Sequence, residues 1–115
     1  MEQTVYAQEV FAMMPLLGVI SHGILCMHGG LSPQLLTADS ISILIAITRP
    51  LDQHTYLQDP PNPSLPLDLL WADPDIKIKQ FKFSIRGVSC TFGPDVLQTI
   101  IDKFGFDCVV RAHQL

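Results

Sequence analysis

The reading of this chain turns on Ile24-Leu25-Cys26-Met27-His28-Gly29-Gly30-Leu31-Ser32-Pro33. Its first four residues form a short apolar run that suits a strand. A histidine and two glycines follow directly, where a backbone must turn sharply or come close to another group. Ser32-Pro33 then has the form of an N-cap and first helical residue. In α/β folds ligand sites gather where strands end and loops converge, and that is where His28 stands.

Toward the N-terminus, Leu16–Ile20 reads as the partner strand of a hairpin closed by Ser21-His22-Gly23, with glycine at the tip. Before it, Glu2 to Met14 places Val5, Tyr6, Val10, Phe11 and Met14 on one helical face, and Pro15 ends the helix. The apolar stretch from Val10 to Met27 nearly reaches the length of a membrane span, about 20 residues. Pro15, Gly18 and the Ser21-His22-Gly23 turn interrupt it, so no span is expected. Glu2-Gln3 after Met1 gives no basic n-region, so a secretory signal is not expected either.

Toward the C-terminus, Thr37 or Asp39 can cap a second helix through about Ile47, closed by Arg49-Pro50. Leu51 to Pro66 reads as a long surface loop, punctuated by Pro60, Pro61, Asn62, Pro63 and Ser64. Leu67–Trp71 is a short apolar piece, with Trp71 expected as a packing anchor. Ile76 to Phe83 alternates apolar residues with lysine and is expected to be exposed and weakly defined. Arg86-Gly87-Val88-Ser89 leads into Thr91-Phe92-Gly93, read as a polar loop. The strongest helix begins at Pro94-Asp95, carries Val96, Leu97, Ile100, Ile101 and Phe104 as one stripe, and stops at Gly105. Phe106–Val110 then reads as a buried strand, ended by Arg111-Ala112-His113-Gln114. A second histidine thus follows a second strand.

Composition narrows the function. Acidic residues outnumber basic ones, giving a net charge of -4, and nucleic-acid binders usually show the opposite. Only 16% of the 115 residues are charged and 48% are hydrophobic, which suits the interior of something larger better than a whole small globule. Cys26, Cys90 and Cys108 are widely spaced with no CxxC, which argues against a disulfide framework or structural zinc site. They are expected as small buried side chains in a reducing cytosol or nucleus.

Four blocks occur in order: His28-Gly29-Gly30-Leu31-Ser32-Pro33, Asp68-Leu69-Leu70-Trp71-Ala72-Asp73-Pro74, Arg86-Gly87-Val88-Ser89 with Thr91-Phe92-Gly93, and Arg111-Ala112-His113-Gln114. Together they resemble the C-terminal half of the metal-dependent phosphoprotein phosphatase family, and within it the type-1-like enzymes. Arg49-Pro50 and the Arg-Gly-Val-Ser wording favour that kind.

The resemblance implies an α/β fold (α+β by some schemes). Residues 1–115 would form a partial calcineurin-like metallophosphatase domain, a mixed β-sandwich flanked by helices. It implies His28 and His113 as ligands to one metal of a dinuclear Mn or Fe/Zn centre, and Arg86 as the phosphate-binding residue. Neutral imidazole suits such metals, and a guanidinium fork suits a phosphate dianion. The implied reaction is hydrolysis of phosphoserine and phosphothreonine in proteins by a metal-activated water. Implied partners are phosphoprotein substrates and regulatory subunits, with no nucleic acid and no membrane, in cytoplasm or nucleus.

The family's Gly-Asp-x-His-Gly, Gly-Asp-x-Val-Asp-Arg-Gly and Gly-Asn-His-Glu motifs do not occur in these residues. They carry the aspartate ligands, the general-acid histidine and a second phosphate-binding arginine. The chain also stops at Leu115, before the family's last strands and a late active-site tyrosine. Leu67, where type-1 enzymes tend to have cysteine, is a smaller departure. The expectation is that the isolated chain lacks phosphatase activity and folds poorly alone, with open sheet edges and apolar faces. The alternative is a non-catalytic phosphatase-like interaction protein. An esterase reading fails because no Gly-x-Ser-x-Gly elbow occurs.

Other residues have plainer readings. His22 at the hairpin tip and His54 in the loop are expected to be exposed and inert. Arg111 is expected to be a solvated or salt-bridged strand end, Ser32 a helix cap, and Asp73 either a loop cap or a group that orients the site.

Overall fold

A computed structural model describes residues 2–40, 42 and 60–115. The hairpin forms as expected, with β1 (Leu17–Ile20) antiparallel to β2 (Ile24–Met27) from the pair Leu17 and Met27 to the pair Ile20 and Ile24. Its tip differs in detail. Ser21 and His22 take the left-handed backbone conformation, not Gly23. Gly23 instead lies against Asp107, whose N–H donates to the Gly23 carbonyl at 2.7 Å.

That contact belongs to the second partner of β2. Strand β6 (Cys108–Val110) runs parallel to β2, pairing Ile24 with Cys108 and Cys26 with Val110, in the order β1-β2-β6. Parallel pairing sends both strands out of the sheet at the same end. His28 and His113 therefore emerge side by side.

The second sheet, β3-β5-β4, joins β3 (Asp73–Pro74), β4 (Phe81–Phe83) and β5 (Cys90–Phe92). Strand β3 is parallel to β5 and β4 antiparallel to it. Cys90–Phe92 was expected within a polar loop, but Phe92 is buried and pulls the segment into the sheet.

Four helices are described: α1 (Glu2–Ala12), α2 (Gln34–Thr37), α3 (Leu65–Trp71) and α4 (Pro94–Phe104). Helix α4 follows its sequence signals: Pro94 starts it, Val96 and Ile100 are buried, and Gly105 closes it in the left-handed conformation. Helix α3 begins two residues before the apolar piece read from the sequence. Its cap is Ser64, whose Oγ accepts from the Leu67 N–H at 3.2 Å, so the Leu51–Pro66 loop ends earlier than expected. The rest of that loop up to residue 59, His54, the helix through Ile47 and Arg49-Pro50 lie outside the described residues.

One core joins both sheets with α2, α3 and α4. It contains Leu17, Leu25 and Met27 from the first sheet, Phe92 from the second, Leu65 and Leu69 from α3, and Val96 and Ile100 from α4. Full burial of a side chain such as Leu25 or Ile100 contributes about 1.5–3 kcal/mol.

The margins are less buried than the sequence suggested. Val5, Tyr6, Val10, Phe11 and Met14 of the N-terminal segment are exposed. Among the described residues strand β6 is an edge, with Cys108 and Val110 exposed and only Val109 turned partly inward. Nor are the cysteines buried: Cys26 and Cys90 are half-buried and Cys108 is exposed. Among the described residues no helix is long and apolar enough to cross a membrane.

Candidate active site

Gly29 and Gly30 fix where β2 delivers His28. A Cβ on Gly29 would collide with the Leu70 carbonyl group and the Trp71 nitrogen, and one on Gly30 would strike the Phe92 ring at 2.5 Å. The glycine pair therefore lets the strand end rest directly on the C-terminus of α3, and the Gly29 N–H donates to the Leu69 carbonyl at 2.7 Å. Trp71, Ala72 and Asp73 follow from that helix end, so Asp73 arrives beside His28.

Arg111 clasps the junction. Its Nε donates to the Gly29 carbonyl, and its Nη2 reaches the Ala72 carbonyl at 3.4 Å and Asp73 Oδ1 at 3.0 Å. Across the strand ends the Ala112 N–H donates to the His28 carbonyl at 3.1 Å. His113 sits at φ 69°, a left-handed conformation that costs a non-glycine residue of order 1–3 kcal/mol. These contacts hold it there.

The result brings together every site residue the sequence suggested. His28 Nε2 lies 3.2 Å from His113 Nδ1, and Arg86 Nη1 lies 3.4 Å from His113 Nε2. Asp73 stands behind all of them. Its Oδ2 is 3.2 Å from Arg86 Nε, and its Oδ1 is 3.0 Å from Arg111 Nη2 and 3.7 Å from His113 Nε2. Of the two readings of Asp73, its contacts fit the orienting one: it is 5% exposed and lies against two guanidiniums and one imidazole. Arg111 is the salt-bridged strand end that was expected. Trp71 is not a buried anchor; it is exposed, and its ring meets His113 edge-on at 5.5 Å between centroids. His22 is exposed at the hairpin tip, at the opposite end of β2 from His28.

Burial of the His113 ring pushes its pKa below the ordinary histidine value. Asp73 opposes that shift, while Arg86, His28 and Arg111 reinforce it. The shift favours the neutral ring, the form in which imidazole is a metal ligand. Two imidazole nitrogens each about 2.0–2.1 Å from one zinc-like ion stand about 2.9–3.4 Å apart at right-angle to tetrahedral coordination. The 3.2 Å separation of His28 Nε2 and His113 Nδ1 fits that span. Ligation through Nδ1 would put the His113 proton on Nε2, facing Asp73, the carboxylate–histidine arrangement that orients metal-bound imidazoles. Without a metal, the same nitrogens can form a relay in which Arg86 Nη1 donates to Nε2 and Nδ1–H donates to His28. The pair supplies two donors of one site. Among the described residues no group of three or more His, Cys, Asp or Glu is placed to hold a metal by itself.

Sequence reasoning missed Asp68. It is buried in α3, and Oδ2 and Oδ1 accept from Ser32 Oγ and Ser89 Oγ, each at 2.6 Å. Ser32 was expected as a helix cap. Its Oγ does accept from the Gln34 N–H at 3.3 Å, but α2 has no side-chain cap and the hydroxyl proton goes to Asp68. A partial signal was available: Asp68 stands within the apolar run Leu67-Asp68-Leu69-Leu70, and a carboxylate buried there needs donors. This bridge ties the segment after the glycine pair to the loop that presents Arg86.

Comparison with known proteins agrees with that geometry. The model of the calcineurin-like phosphoesterase family matches residues 1–115. Serine/threonine-protein phosphatase PP1-delta of Caenorhabditis elegans is 49% identical over 108 residues, covering 94% of this chain and 32% of that protein. A second C. elegans serine/threonine-protein phosphatase is 40% identical over 108 residues, covering 94% of this chain and 27% of that protein. A solved serine/threonine phosphatase structure from Saccharomyces cerevisiae, described as similar to human phosphatase PP5, superposes with a TM-score of 0.74 at 30% identity, over 98% of this chain and 32% of that one. The chain spans about a third or less of the length of these relatives.

Proposed function

This chain belongs to the calcineurin-like phosphoesterase family, its relatives are serine/threonine protein phosphatases, and on that premise we propose that it carries one side of a protein phosphatase active site. The substrates are phosphoserine and phosphothreonine in proteins. The observation that carries this reading is the convergence of His28, His113 and Arg86 at the joined ends of β2 and β6, with Asp73 behind them.

His28 Nε2 and His113 Nδ1 would hold one metal of a dinuclear Mn or Fe/Zn centre. When bound, such a centre lowers the pKa of a water and polarises phosphoryl oxygens. The chain's own residues do the rest. Arg86 keeps its Nε on Asp73 and turns Nη1 toward His113, so that the guanidinium can orient a phosphate dianion. Asp73 fixes Arg86 and the His113 ring without touching the phosphate. Arg111 holds the two strand ends at their spacing.

Two neutral imidazoles bring no negative charge to a dication, and the family's aspartate motifs do not occur in these 115 residues. The proposal therefore includes that these residues alone bind metal weakly and do not turn over substrate. The test measures Mn²⁺-dependent release of phosphate from a phosphothreonine peptide. It compares the 115-residue chain with the same chain joined behind the N-terminal half of a type-1 phosphatase, with zinc binding by the chain alone as a second readout. Expected are no turnover by the chain alone, turnover by the joined protein, loss of most of it in Arg86→Ala, and loss of zinc binding in His28→Ala. Turnover by the chain alone would overturn the donor argument. A folded, metal-loaded but inactive joined protein would overturn the phosphatase reading and favour an interaction module.

A further inference from the structure

The segment that presents Arg86 has an unusual surface. From Ile76 to Gly93 there is no Asp or Glu, yet the stretch holds Lys77, Lys79, Lys82 and Arg86, four of the seven cations in a chain of net charge -4. All three lysines are exposed. Among the described residues no carboxylate lies within ion-pair distance of any of them, the described pairs being those of Asp73 with Arg86, Arg111 and His113. The flanking acids are turned onto backbone: Asp75 Oδ1 accepts from the Lys77 N–H at 2.8 Å, and both Asp95 oxygens accept from the Gln80 N–H at 3.0 Å.

Large apolar side chains share this surface. Phe83 is 98% exposed and Ile85 fully so, although both lie within three residues of Arg86. Phe83 and Ile85 flank the buried Ser84, so the alternation of the segment presents both apolar side chains on the exposed face, beside the exposed Lys82. Beside Phe83 lies a hollow of about 330 Å³ lined by Pro33, Pro63, Phe81, Phe83 and Cys90, with Lys82 at its margin. The one carboxylate reaching it is Asp68, whose oxygens already accept from Ser32 and Ser89. The β4 edge carries this surface. Among the described residues β4 pairs only with β5, so its outer edge is unoccupied.

We infer that β4 and the loop leading to Arg86 form a docking surface for acidic phosphopeptides carrying an apolar residue close to the phosphorylated one. The inference rests on the reading of Arg86 as the phosphate contact. A chain at full extension advances about 3.3–3.6 Å per residue, so Phe83 lies no more than about 11 Å of chain from Arg86. The apolar residue therefore falls about two to four positions from the phosphate. Carboxylates on the remaining positions meet Lys82 and its neighbours. An extended peptide can also use the free β4 edge for backbone hydrogen bonds, a recurring mode of peptide recognition.

The test titrates fluorescein-labelled phosphothreonine peptides into the chain at low salt, following anisotropy. One peptide carries Glu and Leu on the flanks, one Glu and Ala, one Lys and Leu. Inorganic phosphate competition, with and without Arg86→Ala, reports on the phosphate contact itself. Exposed ion pairs are individually weak, so three lysines together should favour the Glu-Leu peptide over the Lys-Leu peptide by roughly tenfold, an effect that fades in 0.5 M salt. The triple charge reversal Lys77→Glu, Lys79→Glu, Lys82→Glu should invert that order. Phe83→Ser should remove the advantage of Leu over Ala. If phosphate competes through Arg86 but the Lys-Leu peptide binds as tightly as the Glu-Leu peptide, the docking inference fails and the phosphate reading stands. If phosphate does not compete, both fail. The comparison among peptides uses the unaltered chain, so it remains decisive even where a variant folds poorly.

Discussion

Replacing Asp73 by asparagine removes one charge and almost no volume, and the structure predicts a cost set by the more buried of its partners. Asp73 and Arg111 have side chains 7% and 17% exposed, with Nη2 and Oδ1 3.0 Å apart. A hydrogen bond to a charged group contributes about 1.5–3 kcal/mol, and Arg111 has little water to replace the lost charge. Arg86 is different. Its side chain is 42% exposed, so its pair with Asp73 contributes at most about 1 kcal/mol after screening. Asp73→Asn should therefore destabilise the chain by roughly 2–4 kcal/mol, and Arg86→Ala by about 1 kcal/mol or less. Stabilities of small domains are only about 5–15 kcal/mol, so the first change is severe and the second mild. Urea unfolding followed by circular dichroism measures both, with phosphate affinity measured under conditions where each variant is folded. Phosphate binding should be lost in Arg86→Ala and weakened several-fold in Asp73→Asn, since Asp73 acts through the arginine. Equal destabilisation by the two variants, or unchanged phosphate binding in Asp73→Asn, would refute the reasoning that Asp73 joins scaffold and site.

Two further outcomes follow from local geometry. Gly29→Ala should lower stability by about 1–3 kcal/mol because its Cβ meets backbone, whereas Gly18→Ala, with nothing within 4 Å, should be neutral or slightly stabilising; urea midpoints separate them. Burial, reinforced by the charge of Asp68, raises the Cys90 thiol from 9.0 to about 11, so Cys108 should react with a maleimide first and Cys90 last, and Asp68→Asn should speed Cys90. A raised folded-state pKa means the associated stability is complete below pH 9 and lost as pH rises from about 9 toward 11, which alkaline unfolding curves would register.

The elements that sequence made legible are those with strong local signals. Pro94, the stripe of Val96 and Ile100, and Gly105 bound α4 closely, and the β1–β2 pair was placed almost to the residue. Strand β5 was missed because Cys90-Thr91-Phe92 is too short to show a period, and only its pairing with both β3 and β4 makes it a strand. The burial of β6 was overstated because an apolar run does not reveal whether a partner covers its face. The histidines and Arg86 were legible through their motif blocks. For Asp73 two roles stayed open, and Asp68 was missed, because a carboxylate's role depends on which donors the fold brings to it, and those come from segments far away in sequence.

The charge arrangement at the site explains why its parts are needed together. Arg86 and Arg111 share the single carboxylate of Asp73, which leaves one positive charge in excess beside the two imidazoles. One excess charge holds a phosphate dianion only weakly, and two uncharged donors hold a dication only weakly. Each deficit would be met by the other binding event, since a metal on the histidines raises the positive charge facing the phosphate. If Asp73 were absent, Arg111 would keep its backbone contacts but lose its charged partner, Arg86 would be free to swing into solvent, and the excess charge would no longer be aimed. The buried acid therefore lowers the total positive charge while fixing the direction of what remains. In a preorganised site, direction contributes more to binding a charged group than the size of the charge alone.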